Sequence, residues 1–164
     1  MPLVAIDPGL HGGVALLRKD GSILARPMPL AGRELDLVEL ARIIQDCGPQ
    51  WLILEKVGSR PGQGVASTFK FGMGYGALLG LGAGLGVPVE LVTPQRWKAT
   101  VLHGSAKDKD AAIAYCRRAF PTVALVPPGC RKPHDGMADA LCLLEYGRRT
   151  LAGATEPTTV STVG

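Results

Sequence analysis

The sequence predicts one α/β domain in which a mixed β-sheet is flanked by helices. Three observations predict it. The first thirty residues read as hairpin-connected strands, strands then alternate with helices, and two strands are short apolar runs typical of burial on both faces. At 164 residues the chain has the size of a single domain with a substantial core. We expect residues 1–151 to form this domain and residues 152–164 to be a disordered tail of low complexity.

Hairpin-connected strands open the chain. Strands are predicted at Leu3–Asp7, over residues 12–17 and over residues 22–30, with an Asp-Gly turn before the third strand. Apolar residues recur at helical spacing between residues 34 and 46, and a Gly-Pro pair follows as a stop signal. The run WLILE, Trp51–Glu55, then predicts a second buried strand.

Helices dominate the second half of the chain. A loop rich in Gly and Pro leads into a glycine-rich helix, and the strand VPVELV follows over residues 87–92. A Thr-Pro pair comes next, in the pattern of an N-cap with proline at the first helical position, so a short helix is predicted to run through Trp97. Further helices are predicted over residues 105–120 and at Asp135–Leu151, with a basic, proline-rich loop between them.

The glycine-rich helix contains an uncharged stretch, residues 71–89, that is about as long as a membrane span. Gly72, Gly76, Gly80 and Gly84 fall four apart and make one bare ridge on a helix, which lets another backbone approach closely. The stretch is flanked by charged residues and is the only one of its kind. We therefore predict no membrane association and a buried helix that packs against a neighbour or a second subunit.

Charge and cysteine content narrow the classes of partner and compartment. The net charge of +4 and the pI of about 9.0 fit a polyanionic partner, but equally a basic protein that binds no nucleic acid. The four cysteines form no C-x-x-C pair, which indicates free thiols in a reducing compartment. The N-terminus lacks the basic region and cleavage site of a secretory signal, so we expect a cytoplasmic location.

Carboxylates are the residues most suggestive of chemistry. Asp7 and Glu55 each end a buried strand, and neighbouring strands of this kind bring their carboxyl ends to one edge of the sheet. Asp135 and Asp139 are four apart and share one face of the last helix. Carboxylates about 4 Å apart repel each other and require a cation. Oxygen ligands favour Mg²⁺ or Mn²⁺ over zinc, and two such ions serve phosphodiester cleavage.

Each carboxylate has a simpler interpretation. Asp7 precedes Pro-Gly and is also typical of a turn, and Glu55 is placed to pair with a surface cation. Asp135 equally fits an N-cap of the last helix. Asp139 has the weakest alternative, because it lies one turn inside an apolar helix without a basic residue three or four positions later. His134 alone is weak evidence for a ligand.

Five segments together resemble a known family. In this order they are LVAIDPGLHGGVAL, LILEKVGSRPGQG with STFKFG, TPQRWK, GSAKDK and HDGMADALCLLEYGRR. They resemble the RuvC-type Holliday junction resolvases, and most closely their phage-type or shortened bacterial members. The resemblance covers about residues 1 to 150. It implies an RNase H-like fold with a five-stranded mixed sheet flanked by helices, and a homodimer that nicks two strands of a four-way DNA junction symmetrically with two Mg²⁺ or Mn²⁺ ions per active site.

The resemblance also assigns the acids. Asp7 corresponds to the acid of the first strand, Glu55 to the acid that ends the fourth strand, and Asp139 to the last acid. The sequence departs from the best-known pattern at Gly136, where the family has a further acid three residues before the last one. Asp135 is the expected substitute, with His134 as its rival.

Basic and aromatic residues complete the implied site. Lys98 and Lys109 correspond to basic positions implicated in phosphate contact and catalysis, where a lysine offsets charge on the reacting phosphate. Phe69 corresponds to an aromatic residue thought to wedge into the junction, although Phe69 and Phe71 equally fit simple packing. The residues predicted to contact DNA are Lys56, Arg60, Phe69, Lys70, Arg96, Lys98, Lys107 and Lys109.

Three rival functions fit parts of the same sequence. The first is another RNase H-like nuclease acting on branched DNA or RNA. The second is an ATP-binding domain of the actin, Hsp70 and sugar kinase type, which opens with a similar strand and glycine hairpin but needs two such lobes. The third is a junction-binding protein without turnover, against which the four candidate acids argue.

Overall fold

A computed structural model describes residues 1–58, 62, 64–104 and 110–151. Its strands are β1 (Leu3–Asp7), β2 (Gly13–Leu17), β3 (Ile23–Pro27), β4 (Leu30–Ala31), β5 (Glu34–Leu35), β6 (Trp51–Glu55) and β7 (Val89–Val92). Its helices are α1 (Leu37–Cys47), α2 (Val65–Gly84), α3 (Pro94–Val101), α4 (Ala111–Ala119) and α5 (Asp135–Leu151). The predicted tail and the first part of the helix predicted over residues 105–120 lie outside the described residues.

The main sheet has five strands in the order β3-β2-β1-β6-β7. The pairs β3–β2 and β2–β1 are antiparallel, whereas β1–β6 and β6–β7 are parallel. The hairpins come from the first thirty residues, and the parallel pairs come from the later strands, each of which follows a helix. The predicted α/β class and the five-stranded mixed sheet flanked by helices are thereby confirmed.

Alternate residues of β1 enter two separate cores. Leu3 and Ala5 pack in the cluster beneath α3, α4 and α5, and Val4 and Ile6 pack in the cluster beneath α1 and α2. A strand with both faces covered has no polar face, which accounts for the continuous apolar run. Helix α5 packs on β1 and β2 and is buried along most of its length.

Local signals explain where helices begin and end. Helix α1 starts at Leu37, because the Asp36 carboxylate accepts a hydrogen bond of 2.9 Å from the Glu39 backbone N–H. The predicted start at residue 34 was wrong, since β5 pairs there with β4 in a small hairpin. Helix α3 has the predicted Thr93 cap and extends past Trp97 to Val101. The predicted strand over residues 87–92 is shorter and begins at Val89.

Most of α2 is exposed in the single chain, so its predicted packing against a neighbouring element is confirmed only in part, and its packing against a second subunit stays a prediction. Only Leu78 and Gly82 are buried in this helix. The sequence of α2 does not indicate which face is covered, because apolar residues and glycines occur on all sides of this helix and no face is distinctly polar. Among the described residues, no helix is long and apolar enough to cross a membrane.

All four cysteines are free thiols, as predicted. Cys47, Cys116 and Cys142 are buried, whereas Cys130 is exposed. The Sγ atoms of Cys116 and Cys142 lie 3.9 Å apart between α4 and α5.

Candidate active site

Asp7 and Glu55 are neighbours at one edge of the sheet. They are the last residues of β1 and β6, which pair in parallel up to Ile6 and Leu54. Side chains alternate along a strand, so Asp7 shares the face of Ala5 and lies on the side of α3, α4 and α5. Glu55 lies on the same side by the same alternation. Register alone therefore brings the two carboxylates together.

Helix α5 adds Asp139 to this pair. Burial raises the pKa of Asp7 to about 8, helped by the negative charges of Glu55 and Asp139 and opposed by the Lys98 ammonium. Burial also raises the pKa of Asp139 to about 6, where Lys98 opposes the shift and Glu55 and Asp135 add to it. The four predicted acids and Lys98 thus form one electrostatic cluster.

Trp97 of α3 belongs to the same site and was not among the predicted site residues. Its indole Nε1–H donates a hydrogen bond of 2.7 Å to Oε1 of Glu55, and its side chain is fully buried. The ammonium nitrogen of Lys98 lies 5.1 Å from the centre of the indole ring, within range of a cation–π contact. In the sequence, Trp97 is distinguished only by its position next to Lys98 in the segment TPQRWK. That position does not indicate which residue accepts the hydrogen bond of the indole.

Known structures share this architecture. No family model matches the sequence, and no curated protein matches it. Among solved structures, Thermus thermophilus RuvC matches with a TM-score of 0.60 and 20% sequence identity, over 93% of this chain and 97% of that chain. The chain has the RuvC fold.

Two further solved structures support this assignment of the fold. Thermus thermophilus RuvC in complex with a Holliday junction substrate matches with a TM-score of 0.61 and 16% identity, over 92% of this chain and 97% of that chain. The yeast mitochondrial Holliday junction resolvase matches with a TM-score of 0.53 and 15% identity, over 86% of this chain and 75% of that chain. The fold expected from the RuvC-type segments is therefore confirmed.

Gly136 explains the departure from the RuvC-type acid pattern. A Cβ atom on Gly136 would lie 2.6 Å from Cα of Gly12 and closer still to the carbonyl oxygen of His11. Cβ atoms essentially never come this close to backbone atoms. The first turn of α5 therefore rests directly on the start of β2. Residue 136 has no room for a side chain in this packing, so a further acid has to come from another position.

His134, and not Asp135, caps α5. His134 precedes the first helical residue, and its Nδ1 accepts a hydrogen bond of 3.3 Å from the backbone N–H of Met137. This geometry commits Nδ1 to the helix and leaves Nε2 as the ring nitrogen for any ligand. Asp135 lies exposed in the first helical turn, and its charge acts on Asp139. The interpretation of Asp135 as an N-cap alone was wrong.

The donor set suits hard divalent cations. Carboxylate oxygens are the ligands that Mg²⁺ and Mn²⁺ prefer. The raised pKa values of Asp7 and Asp139 come first from burial and then from repulsion by neighbouring acids, and a bound cation would counter both. Within the described ranges, however, no three His, Cys, Asp or Glu residues stand close enough together to hold a metal ion as they are. At least one of Asp7, Asp135 and Asp139 would therefore have to turn towards a cation beside Glu55 on binding.

Aromatic residues near the start of α2 divide into one that packs and one that is exposed. The Phe71 ring stacks on Tyr75 with 6.4 Å between ring centres, and its edge faces Gly9 in the loop after β1. Phe69 is 67% exposed. Simple packing therefore accounts for Phe71, whereas Phe69 is free to contact a ligand.

The predicted DNA-contacting cations also differ in their surroundings. Lys56, Lys70 and Lys98 are exposed. Arg96 is partly engaged within the protein, because its guanidinium lies over the Tyr146 ring at 5.6 Å and 3.9 Å from the Glu90 carboxylate. Arg60, Lys107 and Lys109 lie outside the described residues, so their predicted roles stay predictions.

The raised pKa of Asp7 predicts how stability depends on pH without metal. Between the usual pKa of about 3.8 and the folded value of about 8, the folded chain binds more protons than the unfolded chain. The free energy of unfolding should therefore fall as the pH rises from about 4 to about 8. Asp7→Asn removes the contribution of Asp7 to this effect and should be more stable than wild type by up to about 5 kcal/mol at pH 8, with the difference vanishing near pH 4.

Urea unfolding in EDTA at several pH values measures this difference. Asp46→Asn, at an exposed aspartate of α1, is the matched control and should follow the wild-type profile. Addition of Mg²⁺ should stabilise wild type and leave Asp7→Asn nearly unchanged, because bound metal stabilises only a folded state that holds it. Parallel pH profiles for wild type and Asp7→Asn would contradict the raised pKa.

Proposed function

We propose that this chain is a divalent-metal-dependent endonuclease that resolves four-way DNA junctions by paired symmetric nicks. The observation that carries the proposal is the convergence of Asp7, Glu55 and Asp139 at one edge of a sheet with the RuvC fold. The described binding of a Holliday junction by Thermus thermophilus RuvC, which shares this fold, supports junction DNA as the substrate.

Four carboxylates would hold the cations. Asp7, Glu55 and Asp139 would hold them, with Asp135 as the fourth ligand and Nε2 of His134 as the alternative, because the charges of these acids act on one another. Bound there, such ions would supply activation of the attacking water and stabilisation of the leaving oxygen. The Lys98 ammonium acts on both Asp7 and Asp139, so it is placed to offset negative charge on a phosphate at the same site.

The exposed stripe on α2 supports the homodimer that paired nicks require. Gly72, Gly76 and Gly80 have open space beyond their Cα atoms, and Met73 beside them is 54% exposed. A bare ridge next to exposed apolar side chains allows close helix packing against a second copy. We therefore assign this stripe to the dimer interface.

A bulky residue in the stripe should weaken the dimer without unfolding the monomer. Gly76→Leu points into open space in the single chain and should raise the dimer dissociation constant at least about tenfold, since helix backbones then cannot approach. Ser67→Leu is the matched control, because it is exposed on the same helix about half a turn around from Gly76. Sedimentation velocity over a concentration series measures the change. A Gly76→Leu protein as dimeric as wild type would exclude this interface.

Cleavage of a panel of synthetic substrates tests the proposed function. The panel contains a four-way junction, plain duplex and an RNA–DNA hybrid, each incubated with Mg²⁺ or Mn²⁺ and mapped for cut positions. The proposal expects symmetric nicks in the junction and little cleavage of duplex or hybrid. Preferential cleavage of the hybrid would support an RNase H-like nuclease of different substrate class. Junction binding without cleavage in either metal would favour a binding protein.

A further inference from the structure

The Trp97 indole is a buried donor with one strong acceptor. Its side chain is 0% exposed and packs in the core cluster beneath α5. A buried N–H without a partner is costly, and the Glu55 carboxylate satisfies it at 2.7 Å. A hydrogen bond to a charged acceptor is shorter and stronger than a neutral one. The contact therefore fixes Oε1 of Glu55 relative to α3.

Glu55 is held at both ends. Its backbone is fixed by pairing with Val92 of β7, and the next residue, Lys56, continues the pairing with a hydrogen bond of 2.7 Å to the Val92 carbonyl. Its side chain is fixed by Trp97 through Oε1. Two fixed points restrict the rotamers of a long side chain and leave Oε2 as the oxygen for another partner.

Helix α3 is itself anchored, so Trp97 is a rigid donor. Thr93 caps its first turn, and the Arg149 guanidinium of α5 donates a hydrogen bond of 3.0 Å to the Thr100 carbonyl. Arg149 also binds the nearly fully buried Glu145 carboxylate through Nε at 2.7 Å. The last turn of helix α5, which carries Asp139, is thereby joined to the last turn of helix α3, which carries Trp97.

We propose that Trp97 is a positioning residue that orients Glu55 for a divalent cation. The indole occupies Oε1 and presents Oε2 to the site shared with Asp7 and Asp139. Partners of metal ligands commonly act in this way, by fixing the ligand atom before the ion arrives. The inference rests on the proposed function, and it adds a residue that neither touches DNA nor binds metal.

A purely structural role for Trp97 predicts different behaviour. If the indole only fills the core, replacing it affects stability but not the intrinsic affinity of the folded protein for metal. Trp97→Phe separates the two roles, because phenylalanine keeps an apolar ring and a face for the Lys98 ammonium while it removes the N–H. Trp51→Phe is the matched control, since Trp51 starts the strand that Glu55 ends, about 13 Å away.

Binding of Mn²⁺ alone to the intact chain, followed by electron paramagnetic resonance of the free ion, is the first measurement. Trp97→Phe should bind Mn²⁺ about tenfold more weakly than wild type, in line with the loss of a partner of a metal ligand. Trp51→Phe should bind as wild type does. Wild-type affinity in Trp97→Phe overturns the inference.

A second measurement needs no change at Trp97. In ¹⁵N-labelled Trp51→Phe, the single remaining indole N–H signal belongs to Trp97. Glu55→Ala should move this signal in metal-free protein, and Mg²⁺ should move it only while Glu55 is present. An indole signal that Mg²⁺ leaves in place overturns the inference. A wild-type chain that binds no Mn²⁺ at all overturns the proposed function itself, which separates the two failures.

Discussion

Asp7→Asn is expected to reduce junction nicking by at least roughly a hundredfold while junction binding persists. Asparagine keeps the shape of the side chain but has no negative charge, and the charges of Glu55 and Asp139 both act on Asp7. Bound cations would therefore lose one of their carboxylate ligands, and the electrostatic stabilisation that they would give the reacting phosphate would be lost with it.

Two assays separate chemistry from binding in this variant. Single-turnover cleavage of a labelled junction with saturating Mg²⁺ measures nicking, and gel-shift titration in EDTA measures binding. Asp46→Asn, with the same chemical change on exposed α1, should cut at the wild-type rate. Wild-type nicking by Asp7→Asn would exclude the proposed role of the carboxylate cluster.

Gly136→Ala is expected to destabilise the fold by about 3 kcal/mol or more. The added methyl group would collide with backbone atoms of His11 and Gly12, which cannot rotate away as a side chain can. Relief requires α5 to lift from β2, and this also displaces Asp139 from Asp7. Metal-dependent nicking should therefore fall together with stability.

Urea unfolding measures the loss, with Gly84→Ala as the control. Gly84 ends α2 and has open space beyond its Cα, so its replacement should be neutral or slightly stabilising. Gly136→Asp, which introduces the acid of the RuvC-type pattern at this position, should be at least as unstable as Gly136→Ala and should not increase activity. A stable Gly136→Asp protein with normal nicking would refute the proposed packing constraint.

Much of the fold and part of the site follow from local patterns. The spacing of apolar residues and the positions of turn residues indicate where strands and helices alternate, so the fold class of the domain was predictable. Asp7 and Glu55 were predictable as neighbours, because both end strands of a type that pairs in parallel. Asp139 stood out as a charge inside an apolar helix. Each of these inferences needs only the order of residues along one or two elements.

Other features depended on contacts between distant segments. The sequence identified α2 as a helix but did not indicate which side of it is covered within the chain, because its composition is nearly uniformly apolar. It left Asp135 open as an N-cap, whereas His134 takes that role through a contact visible only in three dimensions. The sequence also left open that Phe69 and Phe71 both pack within the fold, whereas in the structure Phe69 is exposed and Phe71 is partly buried.

The sequence by itself determined the fold class, the strand ends that bear acids and the acidic first turns of α5. Periodicity and turn chemistry act over a few residues, and that range suffices for these features. Only the tertiary structure decided that Trp97 binds Glu55, 42 positions earlier, and that Gly136 must stay bare against Gly12. Both contacts depend on how closely the helices pack on the sheet and on the preceding loop. A pattern of neighbouring residues along the chain does not determine the distance between segments that are far apart in sequence.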